Sequence, residues 1–352
     1  MEKFFKNKKV LITGHTGFKG SWLTQILLNF KADVIGISLP PETTPNLFTV
    51  LKQKNKIKNY FVDIRNLNKI KNIIIKEKPE IVFHLAAQAL VRDSYDDPIK
   101  TYSTNTIGTI NVLEAIRKTS SVKSVVVITT DKVYENNELG ISFKETDSLN
   151  GHDPYSSSKA AADIATQSYI KSFFNKKQGP QVAIARAGNV IGGGDWSKDR
   201  LIPDIMYSIY EKNAQVEIRN PQAIRPWQHV LEPLFGYLTL SKGLYQKKQN
   251  FIGAWNFGPK NESFVPVGNL TKEVFKIIGK GKLKIRSEKS KHEAEILKLN
   301  ITKAKNTLKW YPILNFHKNI KLTSEWYKNY YEKTIDPIKF TNNQIKRFLD
   351  LL

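Results

Sequence analysis

The stretch Val10-Leu11-Ile12-Thr13-Gly14-His15-Thr16-Gly17-Phe18-Lys19-Gly20-Ser21-Trp22-Leu23 decides the fold. Val10 to Thr13 reads as a short buried strand. Trp22, Leu23, Ile26, Leu27 and Phe30 then recur at the spacing of one helical face. Between them stand glycines at 14, 17 and 20. So tight a turn needs glycine for backbone freedom and for the close approach of a pyrophosphate. The helix that follows offers unpaired N–H groups and a partial positive charge at its start. An ordinary glycine-rich turn is the alternative, but a strand before and an amphipathic helix after favour a dinucleotide site.

Working outward, strands are expected at Val34 to Ile37, Tyr60 to Val62, Ile81 to Leu85, Val125 to Thr129 and Val182 to Ala185. Helices fall between them: Leu67, Ile70, Ile73 and Ile74 mark one, closed by Lys76, Lys78 and Pro79. Two longer helices run from about Pro98 to Arg117 and from Tyr155 to about Phe174. This alternation predicts an α/β fold, a Rossmann-like doubly wound parallel sheet with ligands at the carboxyl ends of its strands. After Arg186 the rhythm breaks into shorter mixed segments. Residues 1–188 are therefore read as the dinucleotide domain, with later segments returning to it, and 189–352 mainly as a smaller mixed α/β lobe for substrate.

Composition narrows the field. Hydrophobic residues make up 40% and charged residues 25%, a globular balance. No apolar run approaches the ~20 residues of a membrane span, and no secretory pattern opens the chain. With no cysteine, thiol catalysis, disulfides and cysteine-held metals are excluded, and a cytoplasmic place is expected. The net charge of +23 raises nucleic acid as a partner. Yet the lysines are spread along the chain, and the densest patch, Lys276 to Lys291, carries no recognition motif. A solvated lysine-rich surface is the better reading, with neither nucleic acid nor membrane as partner. No metal-ligand spacing is present, and His84 reads as a satisfied core histidine.

Tyr155 and Lys159 stand four apart on a helix, so they share a face. Oxidising an alcohol needs a base for the hydroxyl proton, and a tyrosine with a pKa near ~10 needs an ammonium beside it to serve. The fifth strand ends Thr129-Thr130-Asp131-Lys132, placing an ionisable pair at a strand end. A capping role for Asp131 and a solvated role for Lys132 are the plainer alternatives. The second strand has its acid, Asp33, at the wrong end for a ribose. Ser38 is the candidate ribose contact, and no arginine stands there for a 2′-phosphate, so this strand leaves NAD and NADP open. Asp63 is a candidate adenine contact or, more simply, the N-cap of the helix carrying Leu67.

The Gly-x-x-Gly-x-x-Gly spacing resembles that of the extended short-chain dehydrogenases. Further stretches narrow the likeness: Phe18 to Trp22, His84 to Gln88, Val91-Arg92, Ser94-Tyr95, Asp97-Pro98, Thr129 to Tyr134 and Asp153 to Tyr155. Ala185 to Trp196 and Arg225 to Val230 complete the set. Across nearly its whole length the chain resembles the CDP-glucose 4,6-dehydratases. That resemblance implies bound NAD, CDP-glucose as substrate, loss of one water, and assembly as a homodimer or other homo-oligomer. It implies cofactor contacts from Gly14, Thr16, Gly17, Phe18, Lys19, Gly20, Ser38, Asp63, Ile64, Leu85, Ala86, Ala87, Gln88, Thr129, Tyr155 and Lys159. Thr130 would bond the hydroxyl at carbon 4, Tyr155 would be the base and Asp131 the acid at carbon 6. Lys132 stands where other 4,6-dehydratases have glutamate; it is either neutral through burial or orients Asp131 and a water. Asn189, Arg225 and Asn256 are expected on the substrate's diphosphate and ribose, with Arg200 and Arg219 as weaker candidates. An epimerase on the same fold and a non-catalytic dinucleotide-binding scaffold are the competing readings.

Overall fold

The computed structural model describes residues 1–136, 140–174, 179–285 and 297–352; from residue 286 onward the lysine-rich patch lies outside them. Seven strands form one parallel sheet: β1 (Lys9–Thr13), β2 (Asp33–Ser38), β3 (Lys58–Phe61), β4 (Ile81–His84), β5 (Ser124–Ile128), β6 (Gln181–Ala187) and β7 (Gly253–Phe257). Their order across the sheet is β7-β6-β5-β4-β1-β2-β3. The chain winds outward from β1 to β3, then returns to lay β4 on the other side of β1. The strand order therefore reverses between β1 and β4, where a crevice for ligand opens at the carboxyl ends. Gly14 and Leu85 leave those two strands side by side, their amides bonding Ile37 O at 2.8 Å and Thr13 O at 3.0 Å.

Alternation along each strand divides the core in two. Val10, Ile12 and Val34 pack on one face with Trp22, Leu23, Ile26 and Leu27 of α1 (Phe18–Asn29). Leu11, Ile35 and Ile37 pack on the other with Ile70, Ile73 and Ile74 of α2 (Leu67–Glu77) and Val112, Leu113 and Ile116 of α3 (Gly108–Arg117). Each such fully buried aliphatic contributes about 1.5–3 kcal/mol. The sheet is thus sandwiched between helices, as the near-continuous apolar strands require.

The long helices depart from regularity. The segment expected from Pro98 to Arg117 contains a π-turn, Ser103–Ile107, ahead of α3. The helix carrying Tyr155 and Lys159, α4 (Pro154–Tyr169), likewise runs into a π-turn, Ile170–Phe174. The N-cap of α2 is Asn66, whose side chain accepts from Lys69 N at 3.0 Å. That corrects the simpler reading of Asp63 as the cap.

Beyond β6 the chain builds short pairs: Val190–Ile191 with Gln228–His229, Ile224–Pro226 with Phe264–Pro266, and Val216–Ile218 with Leu283–Ile285. Between them α5 (Leu231–Tyr245) and β7 return to the sheet. The loop Gly192-Gly193-Gly194 lets this part close on α1. Trp22 Nε1 donates to Gly193 O at 2.9 Å, and a Cβ on Gly193 would lie 2.0 Å from the Trp326 ring. Among the described residues no helix is long and apolar enough to cross a membrane.

Candidate active site

The phosphate turn is built from backbone. Gly14 has φ +77°, and a Cβ there would stand 2.7 Å from Ala86 N. A Cβ on Gly20 would sit 2.0 Å from Gly14 O, so the third glycine lets the helix start against the turn. Gly17 caps α1 without any side-chain bond, and a Cβ there would meet only Gly14 O, at 3.4 Å. The first N–H groups of α1 thus open toward the crevice. An exposed, uncapped helix start at the strand-order reversal fits a dinucleotide's pyrophosphate. Thr16 donates its hydroxyl proton to Leu39 O at 3.0 Å, so Ser38 donates to Thr16 Oγ1 across 2.8 Å. Ser38 Oγ keeps its acceptor capacity for a ribose hydroxyl.

Asp63 is gripped by Arg65, whose Nη2 and Nε reach its Oδ2 at 2.6 and 3.0 Å. That guanidinium holds the carboxyl below its ordinary range. Ile64 turns inward and is buried against Gly108. Leu85, Ala86 and Ala87 line the mouth of β4, half-buried. Gln88 is folded onto its own loop: Nε2 donates to Leu90 O at 2.9 Å, and Oε1 accepts from Leu90 N at 2.8 Å.

Asp153 starts α4 as its N-cap, accepting from Ser156 N at 3.0 Å, with Pro154 preset in the first turn. One turn separates Tyr155 from Lys159. The Lys159 ammonium donates to Ile128 O at 2.9 Å, fixing it at the end of β5. Burial pulls Lys159 down to about 8, against the opposing charge of Asp163. Burial also pushes Tyr155 up to about 12, against a hydrogen bond with Thr130. Thr130 caps the turn Asp131–Val133 and donates to Asp131 Oδ1 at 3.0 Å. Asp131 is only 4% exposed, and burial raises its carboxyl above the ordinary range despite Lys132 and Lys19. Burial thus shifts Asp131 in the direction that an acid catalyst requires. Gly188, at the end of β6, leaves the room: a Cβ there would lie 2.5 Å from Asp131 Oδ2.

Lys19 belongs to this cluster as much as to the phosphate turn. Its charge interacts with Arg200, Asp131, Lys159 and Asp195, and burial lowers it to about 8. Arg200 donates to Asp195 Oδ2 at 3.0 Å and its charge reaches Tyr155. Of the two arginines read as weaker candidates, Arg200 is the one brought to the centre. Arg219 is exposed just past Val216–Ile218. Arg225 is half-buried on Ile224–Pro226, donating to Ile224 O at 2.9 Å, and Asn189 is half-buried between β6 and Val190–Ile191.

Asn256 is the correction. It is fully buried in β7, with Tyr134 OH on its Oδ1 at 2.7 Å. Its Nδ2 donates to Phe143 O at 2.9 Å and Asn300 O at 3.2 Å. No polar atom of its side chain is left for a substrate. Phe143 and Asn300 lie far from it in sequence, so local pattern gave no hint of them.

His84 is satisfied on both sides. Thr109 donates to Asn105 O at 2.6 Å, so it accepts from His84 Nε2–H at 2.9 Å, while Thr13 donates to Nδ1. Burial lowers the ring to about 3, so it stays neutral. Asn105 Nδ2 then donates to Ser158 Oγ at 2.9 Å, and Ser158 to Tyr155 O at 2.7 Å. One hydrogen-bonded chain thus ties the glycine turn to the catalytic helix.

Sequence reading missed Asp163 and Arg186, both fully buried and paired through two contacts of 2.8 Å. The signal for Asp163 was its place one further turn along the Tyr155 and Lys159 face.

With this geometry in view, the sequence matches the family described as GDP-mannose 4,6 dehydratase over residues 11–323. A CDP-glucose 4,6-dehydratase of Salmonella typhimurium is 44% identical over 332 residues, 93% of this chain and 92% of that protein. A dTDP-glucose 4,6-dehydratase of Shigella flexneri is 26% identical over 345 residues, covering 91% and 92% respectively. Among solved structures, dTDP-glucose 4,6-dehydratase from Bacillus anthracis in complex with NAD superposes with a TM-score of 0.76 at 25% identity, covering 94% of this chain and 99% of that one.

Proposed function

The chain belongs to the GDP-mannose 4,6-dehydratase family, and from that premise we propose that it converts CDP-glucose to CDP-4-keto-6-deoxyglucose and water. It is an NAD-dependent enzyme of the sugar-nucleotide 4,6-dehydratase kind. One observation carries the dehydratase reading: Asp131, a buried carboxyl that burial raises above its ordinary range, hydrogen-bonds Thr130, which in turn bonds Tyr155. An enzyme that only oxidised or epimerised carbon 4 would have no use for a second acid there.

Bound NAD supplies the hydride acceptor for carbon 4 and the hydride donor for carbon 6. Thr130 and Tyr155 receive the hydroxyl at carbon 4, and Tyr155 takes its proton. Lys159 makes that possible by lowering the cost of the phenolate. With carbon 4 a ketone, the proton on carbon 5 becomes acidic. Asp131 gives its proton to the hydroxyl leaving carbon 6, which departs as water. The proton taken from oxygen 4 balances the one that Asp131 gives up, and the carbon 5 proton is removed and returned. Lys132 serves this elimination, either as a neutral base or by orienting Asp131 and a water. The cationic set Lys19, Arg200 and Arg225, with Asn189, faces the diphosphate side of the substrate. On this reading the enzyme works in the cytoplasm as a homo-oligomer.

The test is incubation with CDP-, UDP-, GDP- and dTDP-glucose, followed by mass spectrometry. Loss of 18 mass units, about one water, from the CDP sugar alone is the expected result. Loss from another nucleotide moves the base assignment; a new sugar isomer without mass change makes it an epimerase. Denatured protein should release a dinucleotide, because a hydride that returns within one turnover requires no exchange of cofactor.

A further inference from the structure

The mechanism leaves one buried charged pair unused. Arg186 on β6 and Asp163 on α4 are each sealed from solvent, joined by Nε to Oδ2 and Nη2 to Oδ1 at 2.8 Å. A buried ion pair is weak evidence for stability, since apolar residues of the same volume often do as well. Its position suggests another use. Tyr155, Lys159 and Asp163 follow one another at single-turn spacing along one face of α4. Lys159 Nζ holds Ile128 O at 2.9 Å, and Asp163 Oδ2 accepts from Thr129 Oγ1 at 3.1 Å. Ion and counter-ion thus grip consecutive residues at the end of β5, and Thr130 is the next residue along.

We propose that Asp163, clamped by Arg186, is the positioning residue and counter-ion of the Lys159 ammonium. It works through Lys159 on Tyr155 and touches neither sugar nor cofactor. Arg186 completes the clamp from behind. Its Nη1 donates to Tyr134 OH at 2.8 Å and Glu145 O at 3.1 Å, joining Asp163 to the network around Asn256. The charged and titratable groups around Lys159 are Asp163 and Tyr155 on its own helix, Lys19 on α1 and neutral His84 on β4. Of these only Asp163 supplies a carboxylate, and it opposes the burial that otherwise drives the ammonium toward neutrality. The proposal rests on the reading of Lys159 as partner of the catalytic tyrosine.

The experiment compares the parent with Asp163→Asn, Asp163→Asn/Arg186→Gln and Asp163→Glu. Lysine carrying 13C at Cε is incorporated, and the Lys159 resonance is assigned by its absence in Lys159→Met. In the parent Lys159 should titrate near about 8. In Asp163→Asn it should titrate at least about one pH unit lower, the usual effect of losing a nearby opposite charge, and in the double variant, where the opposing Arg186 charge is gone too, it should still fall but by less. The glutamate variant should return toward the parent. The alkaline limb of single-turnover oxidation should shift downward by the same amount, because the ammonium is lost earlier as pH rises. Asp163→Asn alone strands the Arg186 charge and can fail to fold; the double variant, which removes both charges, then decides. An unchanged Lys159 titration in the double variant overturns the proposal and leaves the pair structural. Should the parent turn over no sugar nucleotide, the functional reading fails, while the resonance titration still judges the pair.

Discussion

The phosphate turn and the sugar side of the cleft are made of different materials. The turn is shaped by backbone: within seven consecutive residues, Gly14 to Gly20, the three glycines matter by the Cβ they lack. The proposed sugar side is side chains drawn from the end of β5, from α4 and from segments as distant as Arg200 and Arg225. A backbone site is local, because one turn and one helix start complete it. A side-chain site depends on which distant segments the fold brings together. The difference predicts two kinds of sensitivity, one to shape and one to charge.

The sharpest way to break the comparison lies within the side-chain half. If Tyr155 and Lys159 oxidise while Asp131 and Lys132 eliminate, the two steps separate by mutation. Lys132→Ala should still form enzyme-bound NADH on mixing with CDP-glucose. Its dehydration should fall about a hundred- to ten-thousand-fold, the span of general acid–base groups. Exchange of solvent deuterium into carbon 5 should fall with it. Tyr155→Phe should lose the NADH signal itself by a similar factor. Near-parental dehydration in Lys132→Ala would make that lysine a solvated side chain; loss of NADH formation would move it to the oxidation step.

Arg225→Ala tests charge against shape. A contact to phosphates is equally present before and during reaction, so its loss raises KM and spares kcat. About 2–3 kcal/mol, or roughly 30- to 150-fold in KM, is expected. An unchanged KM would remove Arg225 from the site. Gly20→Ala tests shape alone, by placing a methyl 2.0 Å from Gly14 O without altering any charge. The strain of such overpacking, about 1–3 kcal/mol, should appear as cofactor lost during purification, about five- to 150-fold in affinity. Full NAD occupancy in that variant would mean that the turn yields, contrary to its backbone construction.

Legibility in the sequence followed the same division. The glycine turn, the sheet and the Tyr155–Lys159 pair were readable because their determinants lie within one or two elements. The alternative of Asp63 as the helix cap was open because Asp and Asn both suit the role, and the structure gives the cap to Asn66 while Arg65 takes Asp63 for itself. Asp163 was hidden for another reason: its partner Arg186 lies 23 residues away, just past the apolar run Val182 to Ala185 that was read as the strand. Arg200 was undervalued because its approach to Tyr155 depends on how the loop after Asp195 closes.

Asn256 gives the smallest expected effect on catalysis and the cleanest contrast with Arg225. Both were candidates for the substrate's diphosphate and ribose, but only Arg225 retains partial exposure. Asn256→Ala would leave Tyr134 OH without its acceptor, and Phe143 O and Asn300 O without their shared donor. Stranding buried polar groups costs about 1–3 kcal/mol each when nothing replaces the partner, and Tyr134 retains its bond to Arg186. Thermal unfolding should therefore begin several degrees lower, while KM for the sugar nucleotide stays at the parental value. A raised KM with unchanged thermal stability would put Asn256 back among the substrate contacts.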